Sequence, residues 1–319
     1  MDPETTIQRL SLVFYGFVNV GAFFTIATTY CEKYVGWWLA FLLPGIVYFL
    51  LPFVLLATYK KTIRLKPQGS EMTHVFRIVG LAIKKNKGKV WSEGFWNAAR
   101  PSVLAAEGIS VPWNDKLVED VHRTLAACAM FLYFPVWYLN DGGIGSVLSS
   151  QGSTMTTKGA PNDLLGNFNP LSIIFFIPFL SYIFYPTLAR RNIKFGRISR
   201  ITTGFTLAWI SGVIGAIVQW RVYETSPCGY YATGCDQGSG VSNLSIWAQI
   251  PVVVLGALSE CFCQVTAYEI AYARSPKNMK ALVMAIFLFV SASFPYPLAL
   301  SGLFPAISIC SRRADLVHR

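Results

Sequence analysis

The stretch Ser245–Ala273, SIWAQIPVVVLGALSECFCQVTAYEIAYA, decides how this chain is read. It is apolar for long enough to cross a hydrocarbon core, which needs about 20 residues. Yet it carries Glu260 near its middle and Glu269 near its end. A charge at a bilayer centre costs roughly 2.5–3.5 kcal/mol on insertion scales, so such an acid is rare and marks a site facing a cavity or a partner. Nine residues at about 100° each set the two acids half a turn apart and about 13 Å apart along the axis. They are therefore not a paired acid–base dyad. Glu260 reads as functional, and Glu269 as half of a structural ion pair with Arg274 or loop cations.

The rest of the chain has the same character. Of its 319 residues 53% are hydrophobic and only 13% charged, well below the share of about a quarter in soluble domains. Seven stretches are long enough to span a membrane: 10–31, 35–58, 124–148, 168–188, 202–220, 246–273 and 281–305. The last is interrupted by Pro295, Pro297 and Pro305. The chain opens on polar MDPETTIQR before its first apolar run, so no cleavable signal peptide is expected.

A net charge of +11 invites a nucleic-acid partner, but the placement of the charges argues against one. Residues 59–123 hold twelve Lys and Arg, the 189–201 loop five, and the segment after the sixth span three more. Arg9 precedes the first span, while the opposite loops carry only Lys33, Lys158 and Arg221. This is the positive-inside pattern, and it makes the basic side, with the N-terminus and the 59–123 linker, cytoplasmic. The same orientation excludes a seven-helix receptor, whose first basic loop and N-terminus lie on opposite sides.

Other polar groups sit in or beside the spans. The third carries Trp137, Tyr138, Asn140 and Asp141 before a run of glycines, and Asp141 reads either as an intramembrane acid or as the exposed end of a shorter helix. The fourth opens on Asn167-Phe168-Asn169-Pro170, where Asn169 is a helix cap or a ligand contact. Asn19 places an amide in the first span, either as a helix–helix hydrogen bond or as a substrate contact. The linker contains a basic amphipathic stretch, Val75–Val90, which reads as a surface-lying connector or a lipid-binding element. Ahead of the third span, a helix is expected with Asn114 or Asp115 as its N-cap. The loop 222–244 places Cys228 and Cys235 in a disulfide-permissive compartment, although their spacing alone does not fix the geometry. His74, His122 and His318 lie away from the deep acids, and no phosphate loop, metal-ligand cluster or nucleophile–base arrangement is present. An enzyme is not expected.

Several of these motifs resemble the proton-dependent oligopeptide transporter family, a branch of the major facilitator superfamily, and its fungal type in particular. Phe14–Phe24, FYGFVNVGAFF, is similar to the family's fifth-helix signature. Ala257–Val283, ALSECFCQVTAYEIAYARSPKNMKALV, resembles its tenth-helix motif. Between them VPWNDKLVEDVHRTL and GNFNPL resemble the lead-in to helix seven and the start of helix eight, so the likeness covers about residues 2–290. It implies an all-α integral membrane protein, a partial major facilitator fold whose spans correspond to helices five to eleven of twelve. Residues 1–58 would be the last two helices of the N-terminal bundle, 59–123 the basic cytoplasmic linker, 124–305 helices of the C-terminal bundle, and 306–319 a tail unlike the family.

By the same resemblance the function is proton-coupled symport of di- and tripeptides by alternating access. No cofactor is expected, with the proton as coupling ion, and the partners are the peptide, the lipid bilayer and no nucleic acid. Glu260 and Asn169 would hold the peptide's amino terminus, Asn19 its backbone or carboxyl end, and Trp137 and Tyr138 would line side-chain pockets. Asp141 would stand near the outer gate. The proton site and the carboxylate-binding cation belong to helices one to four, which this chain lacks, so a truncated form that does not transport alone is expected. Two alternatives stand: a family transporter of another small solute such as nitrate, and a non-transporting membrane fragment. The retained Glu260 argues against an anion. The expected location is the plasma membrane.

Overall fold

The computed structural model describes residues 3–62, 71–89, 92, 94–159, 162–273, 276 and 279–293. Three helices come first: α1 (Pro3–Phe23), α2 (Thr25–Tyr34) and α3 (Trp37–Thr58). The middle of the chain forms α4 (Glu71–Lys85), α5 (Pro101–Ala106), α6 (Asp115–Cys128) and α7 (Phe134–Ser153). A short strand β1 (Met155–Thr156) leads to α8 (Phe168–Phe179), α9 (Tyr185–Arg190) and α10 (Arg197–Thr225). Strand β2 (Ser242–Ser245) then precedes α11 (Ile250–Ala273) and α12 (Lys280–Ser293).

Among the described residues five runs are long and apolar enough to cross a membrane: Thr6–Tyr34, Trp37–Thr58, Leu164–Arg190, Arg197–Thr225 and Ile246–Tyr272. The expected third span, 124–148, is built instead from the end of α6, a tight 3-10 segment Ala129–Tyr133 and α7. The expected seventh begins as α12, a shorter apolar helix, and the part beyond 293 lies outside the described residues, with the 306–319 tail and Cys310. The first hairpin turns at Val35–Gly36, between α2 and α3. Gly36 has φ 135°, a conformation that favours glycine.

The described residues pack as two units, the first 3–62 with 135–269 and the second 71–134 with 270–293. In the first unit Leu12 and Tyr15 of α1 meet Ile173 and Ile177 on one face of α8 and Leu180 just beyond it. Ala257, Cys261 and Val265 of α11, at four-residue spacing, complete the same cluster. In lipid this contact rests on close packing rather than on exclusion of water. Gly204 on α10 shows how close the packing is, since a Cβ there would lie 3.0 Å from Ser259 O and overlap Cys263 Sγ. Between α8 and α9 the helix widens into a π turn at Leu180–Phe184. Pro186 just beyond cannot donate back to Tyr182 O, and its ring needs that space. Strand β1 pairs in parallel with β2.

In the second unit α4 buries Val75, Ile78 and Ala82 against Phe95, Ala99, Val118, Val121 and Met279. Their three- and four-residue spacing is one helix face, and its flank leaves Met72, Phe76 and Ile83 exposed. Asn114 caps α6, its side chain accepting from Leu117 N at 2.8 Å, which resolves the choice between Asn114 and Asp115. Phe131, Phe134 and Phe287 form an aromatic cluster, with Phe131 and Phe287 ring centres 4.9 Å apart.

Candidate functional site

Glu260 lies in the middle turns of α11 and is half-buried. The Tyr15 hydroxyl donates to its Oε2 at 2.6 Å, and the Asn169 amide donates to its Oε1. A carboxylate that accepts from both sides is held in one orientation, and hydrogen bonds to a charged group are stronger than neutral ones. Asn169 is the second residue of α8, already inside the helix, so its side chain is spent on Glu260 rather than on a cap. Asn167 accepts from Thr25 Oγ1 at 2.5 Å, joining α2 to the lead-in of α8.

Asn19 lies one turn beyond Tyr15 on the same face of α1, is only 7% exposed and donates Nδ2 to Tyr15 O at 2.9 Å. Asn19 and Asn169 both line a cavity of about 540 Å³, together with Asn140, Ser211, Gln249 and Ser259. Glu260 does not line it; its neighbour Ser259 and its partner Asn169 do. The carboxylate thus stands behind the wall and reaches the cavity through Asn169.

Trp137 and Tyr138, expected in side-chain pockets, are absent from this lining. Trp137 is 2% exposed and donates Nε1 to Ser259 Oγ at 2.8 Å, while Ser259 Oγ donates to Gly204 O at 2.7 Å. Tyr138 donates to Gln264 Oε1 at 2.5 Å. These aromatics fasten α7 to α11, a packing role. The backbone of Asp141 is helical, but its side chain lies outside the described residues.

Half a turn away from Glu260, Glu269 is 3% exposed. Arg197 Nε donates to its Oε1 and Arg200 Nη1 to its Oε2, both at 2.8 Å. Arg200 also donates to Gln8 Oε1 at 3.1 Å and stacks 4.9 Å from the Tyr185 ring. The partners are therefore two cations at the start of α10; Arg274 lies outside the described residues. Cys228 and Cys235 are joined as a disulfide with Cα atoms 5.8 Å apart, an ordinary separation.

No local pattern pairs Tyr15 with Glu260, which lies 245 residues away. The one available signal was its position four residues before Asn19, on the same helical face. Asn140 and Gln249 were equally silent, as single amides at helix ends or beside glycines.

The model for the POT family matches residues 3–300. The chain belongs to the POT family. The match runs ten residues past the expected limit at 290. Among POT relatives, the MFS-type transporter ucsM of Acremonium sp. is 55% identical over 295 residues, covering 92% of this chain and 49% of that protein. The peptide transporter PTR2 of Candida albicans is 42% identical over 303 residues, covering 92% and 48%. The chain thus spans about half the length of these relatives. The crystal structure of the POT family transporter PepTSo matches 95% of this chain and 64% of that one at a TM-score of 0.68 and 20% identity, which places the fold among POT transporters.

Proposed function

We propose that this chain contributes the amine-binding half of a proton-coupled di- and tripeptide symporter. The observation that supports it best is the Glu260 carboxylate, oriented by Tyr15 and Asn169 beside a cavity of a size suited to a small ligand. An ammonium group entering through Asn169 gains a charge-assisted hydrogen bond to Glu260, and an anion such as nitrate is repelled. Glu260 and Asn169 hold the peptide's amino terminus and Asn19 meets its backbone, while Trp137 and Tyr138 support the wall. Asp141 serves near the outer gate. The proton is the coupling ion, and no other cofactor takes part. The basic side, including the 59–123 linker, faces the cytoplasm, and the protein resides in the plasma membrane.

The test is titration calorimetry of the chain in lipid nanodiscs with Ala-Ala and with N-acetyl-Ala-Ala. Binding of the free amine with loss of at least about tenfold in affinity on acetylation supports the reading; equal affinities refute it. A second reading, a transporter of another small solute, is favoured by the 55% identity to the MFS-type transporter ucsM, whose name specifies no peptide, against 42% to the Candida albicans peptide transporter.

A further inference from the structure

The cavity holds polar groups that recognition of an amino terminus leaves unused. Asn140 on α7 donates its Nδ2 to Ala208 O. Gln249, ahead of α11, donates its Nε2 to Leu148 O at 2.9 Å and to Gln151 Oε1 at 2.8 Å. Asn19 and Asn169 likewise spend their amide nitrogens, on Tyr15 O and on Glu260. Three of these amides have a backbone carbonyl as a partner, which cannot donate, and Asn169 has a carboxylate oxygen of Glu260. The choice between the two orientations of each amide is thereby made.

What remains of each amide is its carbonyl oxygen. Among the described residues no protein group donates to the side-chain oxygens of Asn19, Asn140, Asn169 or Gln249. Three hydroxyls on the lining are spent in the same sense, Thr25 Oγ1 donating to Ala22 O at 2.7 Å. Ser211 Oγ donates to Val252 O at 2.9 Å, and Ser259 Oγ to Gly204 O at 2.7 Å. The polar lining therefore offers acceptors to a ligand and few donors, with the negative charge of Glu260 just behind and no Lys, Arg or His among the lining residues.

We propose that this cavity selects ligands carrying a second donor-rich cation, the guanidinium or ammonium side chain of a basic dipeptide, with Asn140 and Gln249 as its acceptors. The inference rests on the peptide reading above, which assigns the amino terminus to Glu260 and Asn169. An arginine side chain presents five N–H donors and no acceptor, the complement of four amide oxygens, on an apolar stem that suits the Leu148, Leu165, Val252 and Val253 part of the lining. A glutamate side chain brings only further acceptors, so its lone pairs would be desolvated against lone pairs.

The experiment is calorimetric titration of the full chain in phosphatidylcholine nanodiscs with Ala-Arg, Ala-Ala, Ala-Glu and agmatine. Ala-Arg is expected to bind about tenfold tighter than Ala-Ala, and Ala-Glu more weakly than either. Asn140→Leu and Gln249→Leu are each expected to lower the Ala-Arg to Ala-Ala ratio by about threefold or more, and Asn140→Asp to raise it. The ratio is read within each variant, and the opposite signs for Leu and Asp separate recognition from misfolding. Ala-Ala binding with a ratio near one overturns this inference and leaves the peptide reading intact. Agmatine binding without any dipeptide binding overturns the peptide reading and supports the acceptor wall. Failure of all four ligands overturns both.

Discussion

Replacing Glu269 by Gln removes one charge from a site with almost no access to water, and its cost can be worked from the contacts. Glu269 is 3% exposed, and the side chains of Arg197 and Arg200 are 18% and 13% exposed. Each guanidinium donates to a separate carboxylate oxygen at 2.8 Å. Breaking a buried pair by neutralising one partner costs about 3–5 kcal/mol, because the other charge is left uncompensated. Two features pull this value toward the lower end. Gln keeps the shape and one acceptor, and Arg200 retains Gln8 and the Tyr185 ring. We therefore expect Glu269→Gln to lower unfolding free energy by about 3 kcal/mol. The double variant Glu269→Gln, Arg197→Met should recover part of that loss, with a coupling of about 1–3 kcal/mol in the cycle. The assay is equilibrium unfolding in bicelles, with the two single variants and the double measured together. A loss below about 0.5 kcal/mol, the range of ordinary surface changes, would show that the cluster is not holding α10 to α11.

Gly204→Ala should destabilise the chain by about 1–3 kcal/mol, because the new methyl group meets Ser259 O and Cys263 Sγ in a close helix crossing; the same unfolding assay checks it, and an unchanged midpoint would contradict the packing. Reduction of the Cys228–Cys235 disulfide should cost about 2 kcal/mol for so short a loop. Mass spectrometry after alkylation should show those two thiols modified only in reduced protein, and labelling without reductant would contradict the bridge.

The parts of this fold that depend on local pattern were readable from the chain. Hydrophobic length marked α3, α10 and α11, and the half-turn between Glu260 and Glu269 sends one acid to α1 and α8 and the other to α10. What could not be read is which distant residue completes each contact. Asn169 is 91 residues from Glu260, and Arg197 is 72 from Glu269, so nothing in local spacing distinguishes them from other amides and cations. Asn169 read equally as a cap or a ligand contact because the two differ by where α8 begins, and a helix starting at Phe168 decides the matter. The third span hid a change of winding, since the 3-10 segment Ala129–Tyr133 is as apolar as the helices around it. The cavity was invisible for a different reason. Its polar groups include single amides from α1, α7, α8 and the approach to α11, set among apolar residues and each ordinary within its own helix.

The central claim is that Glu260 binds a ligand's amine. It is tested most directly by comparing Ala-Ala binding to the unaltered chain and to Glu260→Gln in nanodiscs, with circular dichroism as a check on folding. Affinity should fall about tenfold or more with helical content preserved, as expected when a charge-assisted hydrogen bond becomes a neutral one. Equal affinity in a folded variant would contradict it.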